Sequence, residues 1–348
     1  MRLLMIAFLW EGSTTLERAR IIEGLGVKIL PFDMTSYHAK LLRLEQSIES
    51  RFNIGRGIRQ LNHDLMVLAR SSQYDVVWIT KGNWIYPETV EILRKFAQQR
   101  YVIHQTNDAI VYNNYGSRYF FQSLPLYSLC VTTKPWEVDM YRARGAREVY
   151  TLLHAHGRQF SPDITVDAAS RLQLSSDICF VGHCERHYAN QIRVIGKLAR
   201  DTGATVKIWG PGWPRYARRN AWALPIVQSD GLWGQRYPQA LASAKIALGL
   251  LNKQMPETST SRTFEIPATG TFMLAERTAE LQALYKEGKE AEFFSSNEEL
   301  YDKARFYLHN DASRRRIAAA GRKRCVTDGY SAKDQMHRLF EYLLNQLL

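Results

Sequence analysis

Residues 260–274 read T-S-R-T-F-E-I-P-A-T-G-T-F-M-L. Hydroxyls and an arginine open the stretch, a short amphipathic turn follows, Gly270 interrupts it, and an apolar run resumes. That order suits a helix whose N-terminus meets a cleft, running into a strand of a parallel sheet. Unbonded N–H groups at a helix start can share an anion with a guanidinium, here that of Arg262. Glu265, one turn inside, is placed to accept hydrogen bonds from sugar hydroxyls. Arg262 for a diphosphate and Glu265 for a ribose suggest a nucleotide or nucleotide-sugar site. The competing reading is an ordinary helix–strand junction with Arg262 and Glu265 as a solvated pair.

Outward from this stretch the same alternation recurs. Strands are expected near 177–181, 205–209, 246–250 and 271–274, with helices near 189–201, 234–243 and 277–285. Three further helices, 297–308, 311–325 and 331–347, close the chain. The N-terminal half opens with a strand at 3–9, the loop W-E-G-S-T (10–14), a helix at 15–24 and a strand at 27–31. Gly12 and Ser13 in that loop would let backbone approach a ligand. Residues 37–71 are helical and rich in Arg and Leu, with a break at Gly55 and Gly57. Strands at 75–80, 101–105, 129–132 and 149–153 follow, with helices at 87–98 and 135–144 between them. Such βα alternation argues open parallel sheets covered by helices. The polar stretch 154–175, with H-A-H at 154–156, is read as an interdomain linker. The domains are therefore drawn at 1–160 and 170–330, with a final helix at 331–348.

The chain has 348 residues, 45 % hydrophobic and 11 % aromatic, enough for large cores. Its net charge of +12 favours phosphates, nucleic acid or anionic membranes as partners. Cys130, Cys179, Cys184 and Cys325 form no C-x-x-C pair, and a reducing cytoplasm is expected. The apolar run 3–10 is too short for a membrane span. Cys179, His183, Cys184 and His187 crowd one strand and loop, but Cys179 belongs to an apolar strand, so no metal site is assigned. Arg314–Arg316 with Arg322–Arg324 make a basic helix that can touch anionic lipid or nucleic acid.

D-I-C-F-V-G (177–182), K-I-W-G-P-G-W (207–213), S-A-K-I-A-L-G-L (243–250) and R-T-F-E-I-P-A-T-G (262–270) are followed by A-E-F-F-S-S-N-E-E-L (291–300) and A-A-A-G-R (318–322). In this order they resemble the C-terminal domain of CgeB-type, spore-maturation-like glycosyltransferases, relatives of families 1 and 4. V-V-W-I-T-K-G (76–82), the N-D pair at 107–108 and T-T-K-P-W-E-V-D-M-Y-R-A-R-G-A (132–146) extend the likeness to the first half. The resemblance implies an α/β GT-B fold: two doubly wound Rossmann-like domains facing across a cleft, the C-terminal helix crossing back onto the N-terminal domain. It implies a metal-independent transfer from a nucleotide-diphosphate sugar, such as a UDP-sugar, to a glycan, lipid-linked or protein acceptor. No cofactor besides that donor is expected. An anionic membrane surface is a further candidate partner, and DNA ranks below it.

Carried over by position, Gly182 and Arg186 would approach the diphosphate, and Gly210 to Trp213 would border the base, Trp213 by stacking or packing. Arg262 and Thr263 would meet the phosphates, Glu265 the ribose with a part in catalysis as well, and Gly270 would line the donor site. Glu257 stands in E-x7-E spacing to Glu265, without the glycine-rich segment that motif carries. For an inverting transfer, Asp108 is the expected base, followed by His104 and Glu11. A binding module without turnover remains a rival reading.

Overall fold

The computed structural model describes residues 1–39, 42–160 and 164–347. Lys40 and Leu41 of the Arg- and Leu-rich segment, Ser161–Asp163 of the polar stretch, and Leu348 lie outside the described residues. The chain divides into two compact units: Met1–Leu153 with Gln335–Leu348, and His154–Asp334.

Six strands build the first sheet, and apolar runs with no alternation at its centre mark strands covered on both faces. The six are β1 (Arg2–Ala7), β2 (Lys28–Asp33), β3 (Val76–Thr80), β4 (Tyr101–Thr106), β5 (Leu129–Thr132) and β6 (Val149–Thr151). They pair in parallel in the order β2-β1-β3-β4-β5-β6. Pro31, which cannot donate to a ladder, sits on the edge strand β2 opposite Met5. One face of the sheet buries Leu4, Ile6, Val77 and Ile79 against Leu61 and Leu65 of the helix Arg56–Ser71. The other buries Leu3, Met5, Val76 and Trp78 against Ala19, Ile22 and the last helix, Ala332–Leu347. Met336, Leu339, Phe340 and Leu343 of that helix are buried there, and Phe340 stacks on Trp78 with centroids 6.3 Å apart.

The second sheet holds β7 (Ser176–Val181), β8 (Val206–Trp209), β9 (Val227–Ser229), β10 (Ala244–Gly249), β11 (Phe272–Glu276) and β12 (Glu292–Phe294). Their order is β12-β11-β10-β7-β8-β9, all parallel. Ile178, Phe180, Ile246, Leu248 and Leu274 form the centre of its core with the helices Arg186–Thr202 and Asn297–His309.

Three expectations change. The polar stretch taken as a linker contains the helix Ala168–Leu174, started by Asp167, whose side chain accepts from Ser170 N–H at 2.8 Å. His156 in H-A-H is buried: its backbone bonds Tyr330 O and Ala332 N, so it is a fixed joint of the second unit. The basic helix, found at Asp311–Thr327, spends much of its charge internally. Arg314 is buried on Tyr307 O and Asp311, Arg315 pairs with Asp311 at 2.7 Å, and Arg324 pairs with Asp328 at 2.9 Å.

Candidate functional site

The second sheet winds outward both ways from β7 and β10, which pair with Ile178 opposite Ile246. Connections leaving two such neighbours in opposite directions open a crevice at the strands' carboxyl ends, where open parallel sheets bind ligands. Arg262, first residue of the helix Arg262–Ala268, spans that point. Its Nη1 donates to Val181 O at 3.3 Å and its Nη2 to Leu250 O at 3.2 Å. The guanidinium carbon lies 5.3 Å from the Phe180 ring centroid, and Nε is buried with no hydrogen-bond partner. Among the described residues Arg262 makes no ion pair. A cation held only by neutral carbonyls and a ring lacks its counter-charge, and an arriving anion would supply it.

The glycines around it make room. A Cβ on Gly182, directly after β7, would stand 2.7 Å from the Phe180 ring and 3.1 Å from Arg262 Nη1. The Gly182 N–H already donates to Trp209 O at 2.9 Å, so this loop contributes space and not an amide. Gly210, after β8, has φ +145°, and a Cβ there would lie 1.9 Å from the Gly182 carbonyl oxygen. The Trp213 indole N–H donates to that same oxygen at 2.8 Å. Its ring is fully buried, so of the two roles foreseen for Trp213 it packs, bracing the loop.

Gly210→Ala is accordingly expected to cost about 2–5 kcal/mol, adding overpacking to backbone strain. Gly203→Ala, at φ +74° with nothing within 4 Å, should cost only the left-handed penalty of roughly 1–2 kcal/mol. Equal melting temperatures for the two variants would show that the Gly182–Gly210 approach is not tight.

The helix start itself is closed. The N–H groups of Thr263, Phe264 and Glu265 donate to Thr260 and Ser261 carbonyls at 3.0, 2.9 and 2.9 Å. Thr263, 3 % exposed, accepts from Thr260 N–H at 3.2 Å. Positive charge here therefore comes from the guanidinium and not from the amides expected to share the anion. Glu265, 9 % exposed, accepts from Tyr237 Oη–H at 2.7 Å. Burial, and then the Glu265 carboxylate, push the Tyr237 hydroxyl well above its usual pKa, so it stays a donor.

Tyr237 was not foreseen. It stands in W-G-Q-R-Y-P (233–238), with no spacing that ties it to Glu265, and only its place near a helix start was legible. Glu276 was also missed. Buried at the end of β11, it accepts from Leu251 N–H at 2.8 Å and pairs with Lys253 at 2.5 Å, fixing the loop after β10. Glu257 accepts from Asn252 N–H at 3.3 Å in the same loop. Arg186 is exposed at the start of its helix, next to Glu185, which accepts from Gln254 Nε2 at 3.3 Å.

Gly270 is not part of this cluster. It precedes β11 and so lies at the amino ends of the strands, lining a hollow with Lys245, Arg314 and Arg322; its φ of +78° serves the turn. Cys179 is buried in β7. Among the described residues no three His, Cys, Asp or Glu side chains are grouped to hold a metal ion.

In the first unit, Gly12 turns the loop after β1 at φ +85°, and Ser13 caps the helix Thr14–Gly24 by accepting from Leu16 N–H at 3.1 Å. Asp108 follows β4, donates its N–H to Thr106 Oγ1 at 3.1 Å and pairs with Lys81 at 2.7 Å, its side chain 63 % exposed. Asn107 beside it accepts from Arg18 at 3.3 Å and from Gln105 at 2.8 Å. Fully buried Glu137, another residue the sequence did not disclose, accepts from Val111 and Tyr112 N–H at 2.8 and 2.7 Å and fixes the loop beyond Asp108. Burial raises its pKa. His104 is fully buried, bonded through Nε2 to Lys81 O at 3.1 Å, and burial pushes its pKa down to about 4. It is a neutral packed ring, not a solvent-facing base. Glu11 is exposed and paired with Arg20 at 2.9 Å.

Residues 186–341 match the family model described as "Glycosyl transferase-like". The chain carries a glycosyltransferase-like domain. No curated protein matches the chain in sequence. Among solved structures, Anabaena HepE in complex with UDP and glucose is 11 % identical, with a TM-score of 0.66, covering 99 % of this chain and 100 % of that one. An alpha-glucosyltransferase in complex with UDP-glucose and DNA containing an abasic site is 12 % identical, TM-score 0.69, covering 99 % of both chains. Sucrose-phosphate synthase from Thermosynechococcus elongatus is 13 % identical, TM-score 0.68, covering 99 % and 100 %. At these identities the likeness is one of fold, and the fold is GT-B. The matched residues take in β10, Arg262 and Glu265, while β7, with Phe180 and Val181, and Gly182 precede them.

Proposed function

We propose that the protein transfers a sugar from a nucleotide-diphosphate donor to an acceptor hydroxyl on a glycan, lipid-linked or protein substrate. The observation that carries this is Arg262, a guanidinium without a counter-charge among the described residues, at the switch point of the sheet and one turn from Glu265. In this reading Arg262, with exposed Arg186 four residues after Gly182, takes the diphosphate and offsets the charge that grows on it as the sugar departs. Gly182 and Gly210 leave the room the phosphates need, Trp213 braces them from beneath, and Thr263 holds the turn that aims Arg262. Glu265, oriented by Tyr237, accepts from the ribose hydroxyls. Asp108 serves as general base if the configuration inverts, and binds the acceptor if it is retained.

The ordered motifs from D-I-C-F-V-G to A-A-A-G-R support placement in the CgeB-type branch. No metal or cofactor is assigned a role; the nucleotide sugar is the one small molecule required. Four free cysteines fit a cytoplasmic setting. A DNA acceptor is the second reading, favoured by the net charge of +12; a steep loss of duplex binding with salt would support it. A panel of nucleotide sugars tests the main reading. A true donor at 100 times its Kd should stabilise the protein by about 2.7 kcal/mol, and a labelled sugar should then appear on an acceptor. A panel that leaves the melting curve unmoved overturns the donor assignment, and binding without transfer or hydrolysis reduces the protein to a binding module.

A further inference from the structure

The helix Arg43–Phe52 lies outside the site just described and carries a face that the fold leaves uncovered. Leu42, Leu44, Ile48, Phe52 and Ile54 are 41–73 % exposed, within one short segment of the first unit. Leu44, Ile48 and Phe52 recur every four residues and form one stripe along the helix. Arg43, Ser47 and Arg51 form the stripe beside it, all exposed, with the Arg51 guanidinium carbon 5.5 Å from the Phe52 ring centroid.

The orientation is fixed from the inner side. Glu49 is 2 % exposed, and its Oε1 accepts from Gly57 N–H at 2.7 Å. A Cβ on Gly55 would meet that carboxylate at 2.1 Å, so the glycine lets the next helix close over it. The helix is therefore tethered by a buried acid while its leucine, isoleucine and phenylalanine point away. Arg56 and Arg59 add exposed positive charge just beyond, and Arg56 pairs with Glu45 at 2.9 Å, masking the segment's other carboxylate.

We propose that this helix is an interfacial anchor that seats the protein on an anionic lipid surface. Leu44, Ile48 and Phe52 enter the boundary between headgroups and acyl chains, and the flanking arginines meet lipid phosphates. An apolar stripe bordered by arginines, in a chain of net charge +12, matches the charge and the layering of such a surface. A protein partner or a second copy fits it less well. Five apolar side chains fall far short of the roughly 20–30 residues per side of a stable protein interface. No described helix is long and apolar enough to cross a membrane, so the attachment is peripheral.

The anchor is independent of the transfer reading, because its test contains no sugar donor. The full-length protein is co-sedimented with vesicles rich in phosphatidylglycerol and with vesicles of phosphatidylcholine alone. Binding is expected to the first only. Ile48→Gln with Phe52→Gln should lower partitioning by about tenfold or more. Arg43→Gln with Arg51→Gln should lower it by about fivefold per arginine, an effect that shrinks with added salt. All four side chains are exposed, and unchanged melting curves confirm that both variants fold; either variant alone suffices if the other does not. Equal sedimentation with both vesicle types, none with either, or a folded variant that binds like the parent overturns the proposal. So does a soluble dimer that Phe52→Gln dissociates, which would make the stripe a contact between copies.

Discussion

A chain ending at Asp334 is expected to lose the folded state of its first unit. The missing segment is the larger part of the helix Ala332–Leu347, and four of its apolar side chains, Met336, Leu339, Phe340 and Leu343, are at most 5 % exposed. Each contributes about 1.5–3 kcal/mol on burial, so together they supply roughly 6–12 kcal/mol. A whole domain is stable by only about 5–15 kcal/mol. The face left bare would include Leu3, Met5, Val76 and Trp78, the middle of the sheet. Tyr342 would also give up its hydrogen bond to Glu148 and its ring contact with Tyr150. Urea unfolding of the truncated chain should show the transition of the second unit alone. Phe340→Ala in the full chain is the graded version, expected to cost about 3–5 kcal/mol. A truncated chain that keeps both transitions at their normal midpoints would mean that the helix merely covers the sheet.

That helix also shows what the sequence can disclose. Its apolar spacing was plain from Met336 to Leu343, and the stripe had to pack somewhere; the surface beneath it is the β1–β3 face, where Trp78 meets Phe340. The central strands were equally legible, because a strand covered on both faces must be apolar at every position. The edge strands β9 and β12 escaped, since three residues carry no period. Ala168–Leu174 escaped because its start depends on one capping aspartate inside a polar stretch.

The site was legible in its charges and not in its supports. Arg262 and Glu265 stood out as charged residues inside an apolar motif. Tyr237, Glu276 and Glu137 act by reaching distant backbone or side chains, and nothing in the local pattern reports such a reach. Gly210 and Gly270 look alike in sequence, each a glycine beside a strand. They differ in which end of the strand they occupy: Gly210 follows β8 at the crevice, and Gly270 precedes β11 at the opposite end.

Arg262→Ala is expected to weaken nucleoside diphosphate binding by about 1.5–3 kcal/mol, the range for hydrogen bonds to a charged group. That corresponds to roughly a 10- to 150-fold rise in Kd. The two hydrogen bonds of Arg262, to Val181 O and Leu250 O, are long at 3.3 and 3.2 Å and go to neutral groups. They orient the guanidinium without neutralising it, so its charge is available to the diphosphate in the ground state and more so as the sugar leaves. Arg262→Lys should restore only part of the affinity, because a single ammonium cannot hold both carbonyls and still present a planar fork to phosphate. Glu265→Gln should act separately, penalising donors with an intact ribose more than ribose-modified ones. Calorimetry with UDP and other nucleoside diphosphates reads all three variants, with melting curves to confirm folding. A folded Arg262→Ala protein with parental affinity would remove the diphosphate from this crevice. It would leave the guanidinium as a brace between β7 and the loop after β10.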